Sequence, residues 1–258
     1  MLRALGVVTM QTFILLRRDR IFWPALGASL LISAVAALFS SWGTEDLVKM
    51  RYDFGLFGFQ LSGSAVAMLW GVKMISDARQ DGSMEVQLAA PVSRGVWLVG
   101  KYLGLGACIL LISSLFMTVW QAMLLALGYN LMQGPQLLAF AMMVLGWMVT
   151  GALAVFFASL ARAPLAIFAT VSTWIAGLIS PLVGQATTHD TPLPIRLVVA
   201  TITRYWDLQQ FNLVDKALDP AMPSLRFILD RGLYGIILIA LLISLASIIC
   251  SRRDALPA

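Results

Sequence analysis

The chain has 258 residues, of which 60% are hydrophobic and 12% charged, well below the roughly 25% charge of an ordinary soluble domain. The apolar residues come in long blocks, which excludes a water-soluble globule and leaves room for about six membrane spans of ~20 residues and little else. The net charge of +5 is scattered rather than gathered on one face, so nucleic acid is not expected as a partner, and Cys108 and Cys250 both lie in apolar blocks without disulfide or zinc spacing.

Residues 1–20 are apolar but end in Arg17-Arg18-Asp19-Arg20. Arg3, Gln11, Arg17 and Arg18 share one side of a helical wheel, with Val7 and Ile14 intruding. This reads as a helix lying at the cytoplasmic interface, the alternative being an extension of the first span. The start lacks the basic, apolar and small-residue sequence of a signal peptide, so the first span is expected to stay as an anchor.

That span is expected at about 21–40, with Trp23 and Pro24 at its start. A polar loop at 41–54 follows, then a glycine-rich second span at about 55–75, whose Lys73 is placed to snorkel toward the interface. The third span is expected at about 96–127. Turns at Gly128-Tyr-Asn130 and Gly134-Pro135 lead to a fourth at 136–160. A short turn at Ala161-Arg162-Ala163-Pro164 leads into a fifth at 164–184. A polar insert at 185–226 precedes a sixth at 227–250. No repeat divides the chain, which reads as a single transmembrane domain, 1–258.

Basic residues set the orientation. With the N-terminus inside, eleven of the eighteen Lys and Arg residues fall in cytoplasmic parts. The seven outside are offset by eight acids. Both termini are therefore expected in the cytoplasm, and the short loops fit a bacterial inner membrane.

The segment between the second and third spans carries most of the information. Asp77, Arg79, Gln80, Asp81 and Glu85 cannot sit in hydrocarbon, so the second span is expected to end before them. Met84 to Leu88 can form a short helix, which Pro91 ends by disfavouring helical geometry at Ala90. Ser93 then suits the N-cap of a helix starting at Arg94. The result is a structured elbow along the membrane surface, pinned by Trp97 and Lys101; an ordinary inter-helix connector is the alternative.

Gln80-Asp-Gly-Ser-Met-Glu85, Ala89-Ala-Pro-Val-Ser-Arg94 and Gly100-Lys-Tyr-Leu-Gly104 resemble the first cytoplasmic loop of ABC-2 type transporter permeases. The similarity is to single-domain bacterial permeases, among them those of copper-reductase maturation and gliding motility, and is weaker to the permeases of haem exporters. The motif covers about 25 residues, and the layout of an N-terminal interfacial helix, six spans and an outer insert also matches. Gln80-Asp81 departs from the family's commoner Glu-Arg pair before the glycine. The resemblance implies an all-α membrane fold and an ATPase-coupling loop carried by Arg79, Asp81, Gly82, Ser83, Glu85, Pro91 and Arg94. It also implies two cytoplasmic ABC ATPase subunits, which would bind the ATP and magnesium, and a second permease copy as homodimer or related heterodimer. Small residues of the second and fifth spans, Gly58, Gly63, Ser64, Gly71, Ala169, Ala176 and Gly177, would line the interface between the two halves.

In the outer insert, Leu208, Phe211, Leu213 and Val214 suit a short interfacial or re-entrant helix or, equally, a surface loop with an aromatic belt. In ABC-2 permeases this region resembles small external helices over the exit. His189 stands alone, without the three or four ligands a metal site needs. No Gly-x-x-x-x-Gly-Lys-Ser/Thr loop is present, so ATP hydrolysis is expected in a partner and not in this chain. The leading expectation is an ATP-driven permease, exporting an amphipathic or lipidic substrate. A non-transporting scaffold that docks an ATPase, and a membrane enzyme acting on lipid or haem, are the other readings.

Overall fold

The computed structural model describes residues 2–40, 47–82, 93–186, 199, 201, 203, 206–217 and 223–252. All regular structure among them is helical: α1 Leu2–Arg17, α2 Phe22–Ser40, α3 Leu47–Gln80, α4 Arg94–Ala126, α5 Gly134–Leu160, α6 Ala163–Ala186, a 3-10 turn Gln209–Phe211, α7 Val214–Ala217 and α8 Leu225–Arg252. Five of these helices (α3, α4, α5, α6 and α8) are each long and apolar enough to cross a membrane, and α1 with α2, bent by 60° at residues 18–21, make a sixth candidate. The protein is an all-α, multi-pass membrane protein.

Helix ends follow local chemistry. Ser93 caps α4, its hydroxyl accepting the Val96 N–H, as the sequence predicts. Pro135 sits in the first turn of α5, and Gly128 takes φ +74° in the turn before it. The second span departs from expectation at both ends. Of the loop predicted at 41–54, residues 47–54 are helical and 41–46 lie outside the described residues, and α3 runs on through Asp77 to Gln80. At 1.5 Å per residue it is about 50 Å long against ~30 Å of hydrocarbon, so its charged ends stand beyond the apolar slab while the backbone stays helical. Polar side chains mark where hydrocarbon stops; they do not stop a helix.

An aromatic seam between α3, α4 and α5 forms the centre. Phe59 stacks on Phe116 at 5.3 Å and meets Trp120 edge-on at 5.5 Å, and Trp147 closes on Phe116 and Phe140 at 5.9 and 6.0 Å. Lipid tails are as apolar as these rings, so the seam is held by close packing and edge-to-face geometry more than by exclusion of water. Gly63 makes room for Trp147: a Cβ there would lie 2.1 Å from the indole.

The α1 helix rests on α4 through a small-residue notch. Its buried stripe is Val8, Thr12 and Leu16, and a Cβ on Gly100 or Gly104 would meet Val8 at 2.9 Å or Thr12 at 2.6 Å. Gly100 and Gly104, part of the sequence motif, are thus the seat of the N-terminal helix. Arg3, Gln11, Arg17 and Arg18 are exposed on its other side, with Val7 and Ile14 among them.

Candidate functional site

The site is built at the end of the bundle where α3 stops and α4 starts. Asp81 N–H still closes a helical bond to Asp77 O, and Gly82 then takes φ +65°, a left-handed C-terminal stop that an L side chain adopts only with strain. Ser83, Glu85 and Pro91, with the short helix expected at 84–88, lie outside the described residues. What the structure describes is how the two stems of that segment are held.

On one stem, Arg79 Nη1 donates to Ala158 O at 2.6 Å and Nη2 to Ser159 O at 3.0 Å. These are carbonyls of the last turn of α5, where the negative end of the helix dipole lies. On the other stem, Arg94 Nη1 donates to Cys250 O at 3.2 Å and lies 3.4 Å from Ser251 O, at the end of α8. Gly95 lets the two helices close, since a Cβ there would stand 2.8 Å from Ser247 Oγ. Arg79 and Arg94 therefore turn toward the bundle and grip the ends of two different helices. Only residues 161–162 separate α5 from α6, so the Arg79 grip also reaches the start of α6.

The remaining helices are tied to the same end. Asp19, in the turn between α1 and α2, accepts the Ile21 N–H and pairs with Lys73 of α3. Lys73 therefore reaches the end of the bundle, where an ion pair receives it. Lys101 is buried on α4, with Nζ 5.4 Å from the Trp97 ring, and Asp77 lies within electrostatic reach of both Lys73 and Lys101. Gly95-Val-Trp-Leu-Val-Gly100-Lys101 comes within one residue of a phosphate-binding loop. It lies inside α4, however, where its backbone N–H groups belong to the helix and its glycines are packed against α8 and α1.

The small residues expected to line a shared pathway have different surroundings. Gly58 faces Ile32 of α2, Gly63 faces Trp147, and Gly71 abuts Ala154 and the Gly151 carbonyl. Ser64 is fully buried and its hydroxyl has no hydrogen-bond partner among the described residues. On α6, Gly177 packs on Leu208 and Trp206, Ala169 is half-buried, and Ala176 is exposed. Exposed apolar residues of the two helices include Phe57, Leu61 and Leu69 of α3 and Phe168, Ile175 and Ile179 of α6.

The outer insert is a wedge driven into the bundle. Leu208 N–H donates to Gly177 O at 3.1 Å, Trp206 Nε1 to Thr173 O at 2.9 Å, and Phe211 fills the space left by Gly146 and Gly235. These glycines lie roughly 15 Å inside the ends of their helices. The segment 206–217 is thus packed into the bundle, with Leu208, Phe211, Leu213 and Ala217 buried while Gln209 and Lys216 stay exposed. Arg231 holds it by donating to the Gln210 carbonyl, with Cζ 4.0 Å from the Phe227 ring, over which Lys216 also stands at 3.9 Å. Apolar residues at 208, 211 and 213 signal burial in the sequence; only the partner glycines on three other helices fix its depth. His189 lies outside the described residues.

No curated protein sequence matches the chain. The family description "ABC-2 family transporter protein" matches residues 16–225, from the end of α1 to the start of α8. That stretch holds Arg79 and Arg94, the aromatic seam and the wedge at 206–217. The chain belongs to the ABC-2 family of transporter proteins and is a transmembrane component of an ABC transporter.

Proposed function

We propose that the chain is the permease half of an ATP-driven exporter in a bacterial inner membrane, with both termini cytoplasmic. Residues 81–92 receive movement from separate ATPase subunits, which bind ATP and magnesium. The observation that carries this reading is the double grip. Arg79 and Arg94, on the two stems of the segment, each hold the carbonyl end of a different helix. A push on the segment would move α3 and α4 through the backbone, α5 and α6 through Arg79, and α8 through Arg94. The α1–α2 turn would follow through Asp19 and Lys73.

Two ATPase subunits and a second permease copy complete the assembly. The exposed face shared by α3 and α6, with Phe57, Leu61, Phe168, Ala176 and Ile179, is where that copy would meet this one. A disulfide between copies through Ala176→Cys, and none through Ala240→Cys on α8, tests that arrangement. The apolar character of this face suits an amphipathic or lipidic cargo.

Affinity purification from native membranes in mild detergent tests the partner. A soluble ATPase with vanadate-sensitive activity should co-purify with the chain. An intact, monodisperse chain carrying no hydrolytic activity would overturn the reading.

A further inference from the structure

At the opposite end of the bundle from the elbow, the first turns of α3 and the connection between α4 and α5 border an open pocket of about 300 Å³ lined by Arg51, Tyr52, Leu124, Tyr129, Asn130, Leu131, Gln133 and Gln136. Arg51 is 1% exposed, and its Nε and Nη1 have no hydrogen-bond partner among the described residues. Its guanidinium lies 3.5 Å from the centroid of the Tyr129 ring. Stacking satisfies the face of a guanidinium and leaves its in-plane N–H groups to donate. Buried charged donors are normally paired, and these are not.

The rest of the lining is matched to a negative ligand. Gln136 commits its carbonyl oxygen to the Gln133 N–H at 2.7 Å, which leaves its amide nitrogen as a donor. Tyr52 and Asn130 add further donors, and no carboxylate stands among the described residues that line the cavity. Arg51 is four residues into a helix that overhangs the hydrocarbon, which places the cavity near headgroup depth.

We propose that this cavity binds a phosphate oxyanion, with Arg51 as its charged donor and Tyr129 as the platform that holds the guanidinium. The anion is either the headgroup of a phospholipid or free phosphate. The site stands on the cavity alone and does not depend on the chain being an exporter.

The purified chain in dodecyl maltoside is titrated separately with dioctanoyl phosphatidylglycerol, with inorganic phosphate, and with dioctanoylglycerol as a phosphate-free control, and bound mass is read by native mass spectrometry. The expected result is one phosphate-bearing ligand per chain, bound at least about tenfold more weakly by Arg51→Gln, with no saturable binding of dioctanoylglycerol. Binding of the phospholipid alone identifies a lipid headgroup as the source; binding of inorganic phosphate as well identifies a free anion. Asn130 is exposed at the mouth, so Asn130→Glu tests the site without touching the core, and it should weaken binding about fivefold or more by repulsion. Failure of wild-type to bind either phosphate ligand, or equal binding by wild-type and Asn130→Glu, overturns the proposal.

Discussion

Replacing both Arg79 and Arg94 by Gln should leave the ATPase attached and hydrolysing but disconnect it from the membrane helices. Each guanidinium reaches carbonyls at the end of a helix in another part of the sequence, Arg79 at 2.6 and 3.0 Å and Arg94 at 3.2 Å. Hydrogen bonds from a charged donor contribute about 1.5–3 kcal/mol each, less where water screens them. Losing even one such grip on each stem would cost about tenfold or more in the coupling between elbow and bundle. The measurement is an ATP-dependent distance change between labels on α5 and α8 in the reconstituted complex, set beside its hydrolysis rate. Movement should vanish while hydrolysis persists. A double variant that moves as wild-type does would remove the arginines from the transmission path. Arg79→Lys separates charge from geometry: one ammonium lacks the rigid fork that spans Ala158 and Ser159 and should restore only part of the movement.

Gly63→Ala should be among the most damaging single methyl additions in the chain. The new Cβ would lie 2.1 to 2.4 Å from three atoms of the Trp147 indole, which is itself fully buried against Phe116 and Phe140. Overpacking a rigid core costs about 1–3 kcal/mol and more where the neighbour has nowhere to go. Thermal unfolding followed by fluorescence size-exclusion in detergent should show a clear fall in midpoint. Trp147→Phe in the same chain should recover much of it, because the smaller ring vacates the space. Gly6→Ala, where a Cβ meets nothing within 4 Å, serves as the control for methyl addition in a helix. Equal midpoints for wild-type and Gly63→Ala would show that the α3–α5 seam is looser than described.

Much of this architecture is legible in the sequence because membrane spans are written in composition. Five long apolar blocks become helices within a few residues of their expected ends, and Ser93 caps α4 as its place after Pro91 predicts. The exception is α3. Lys49, Arg51 and Asp53 at one end and Asp77 and Arg79 at the other mark the edge of hydrocarbon, and that edge is not the end of the helix. The segment from Arg79 to Arg94 carries the family's motif, yet the direction of its arginines is not legible in it. A charged residue beside a docking segment suggests contact with the partner, whereas Arg79 and Arg94 donate to carbonyls at the helix ends behind them. Those ends lie 79 to 157 residues away in the chain, beyond any local pattern.

The same holds for the glycines of the second span. Their number suggests close packing, but only the folded chain shows that Gly63 faces Trp147 and Gly58 faces Ile32 within one copy. By sequence the wedge at 206–217 reads equally as a surface loop or a re-entrant segment. Its depth depends on Gly146, Gly177 and Gly235, three positions on three helices that no local pattern links. Arg51 reads in the sequence only as an outer charge of the topology, and its cavity emerges from the meeting of α3 with the 127–133 connection.

The proposed docking of an ATPase on the segment between Arg79 and Arg94 is open to test with a photo-crosslinking amino acid at Glu85, activated in native membranes, with a second probe at Ala240 on the exposed side of α8. The expected result is an adduct between the chain and a soluble ATPase subunit from position 85 and none from position 240. A probe at 85 that yields no ATPase adduct, in membranes where the chain is folded and the ATPase is present, would contradict it.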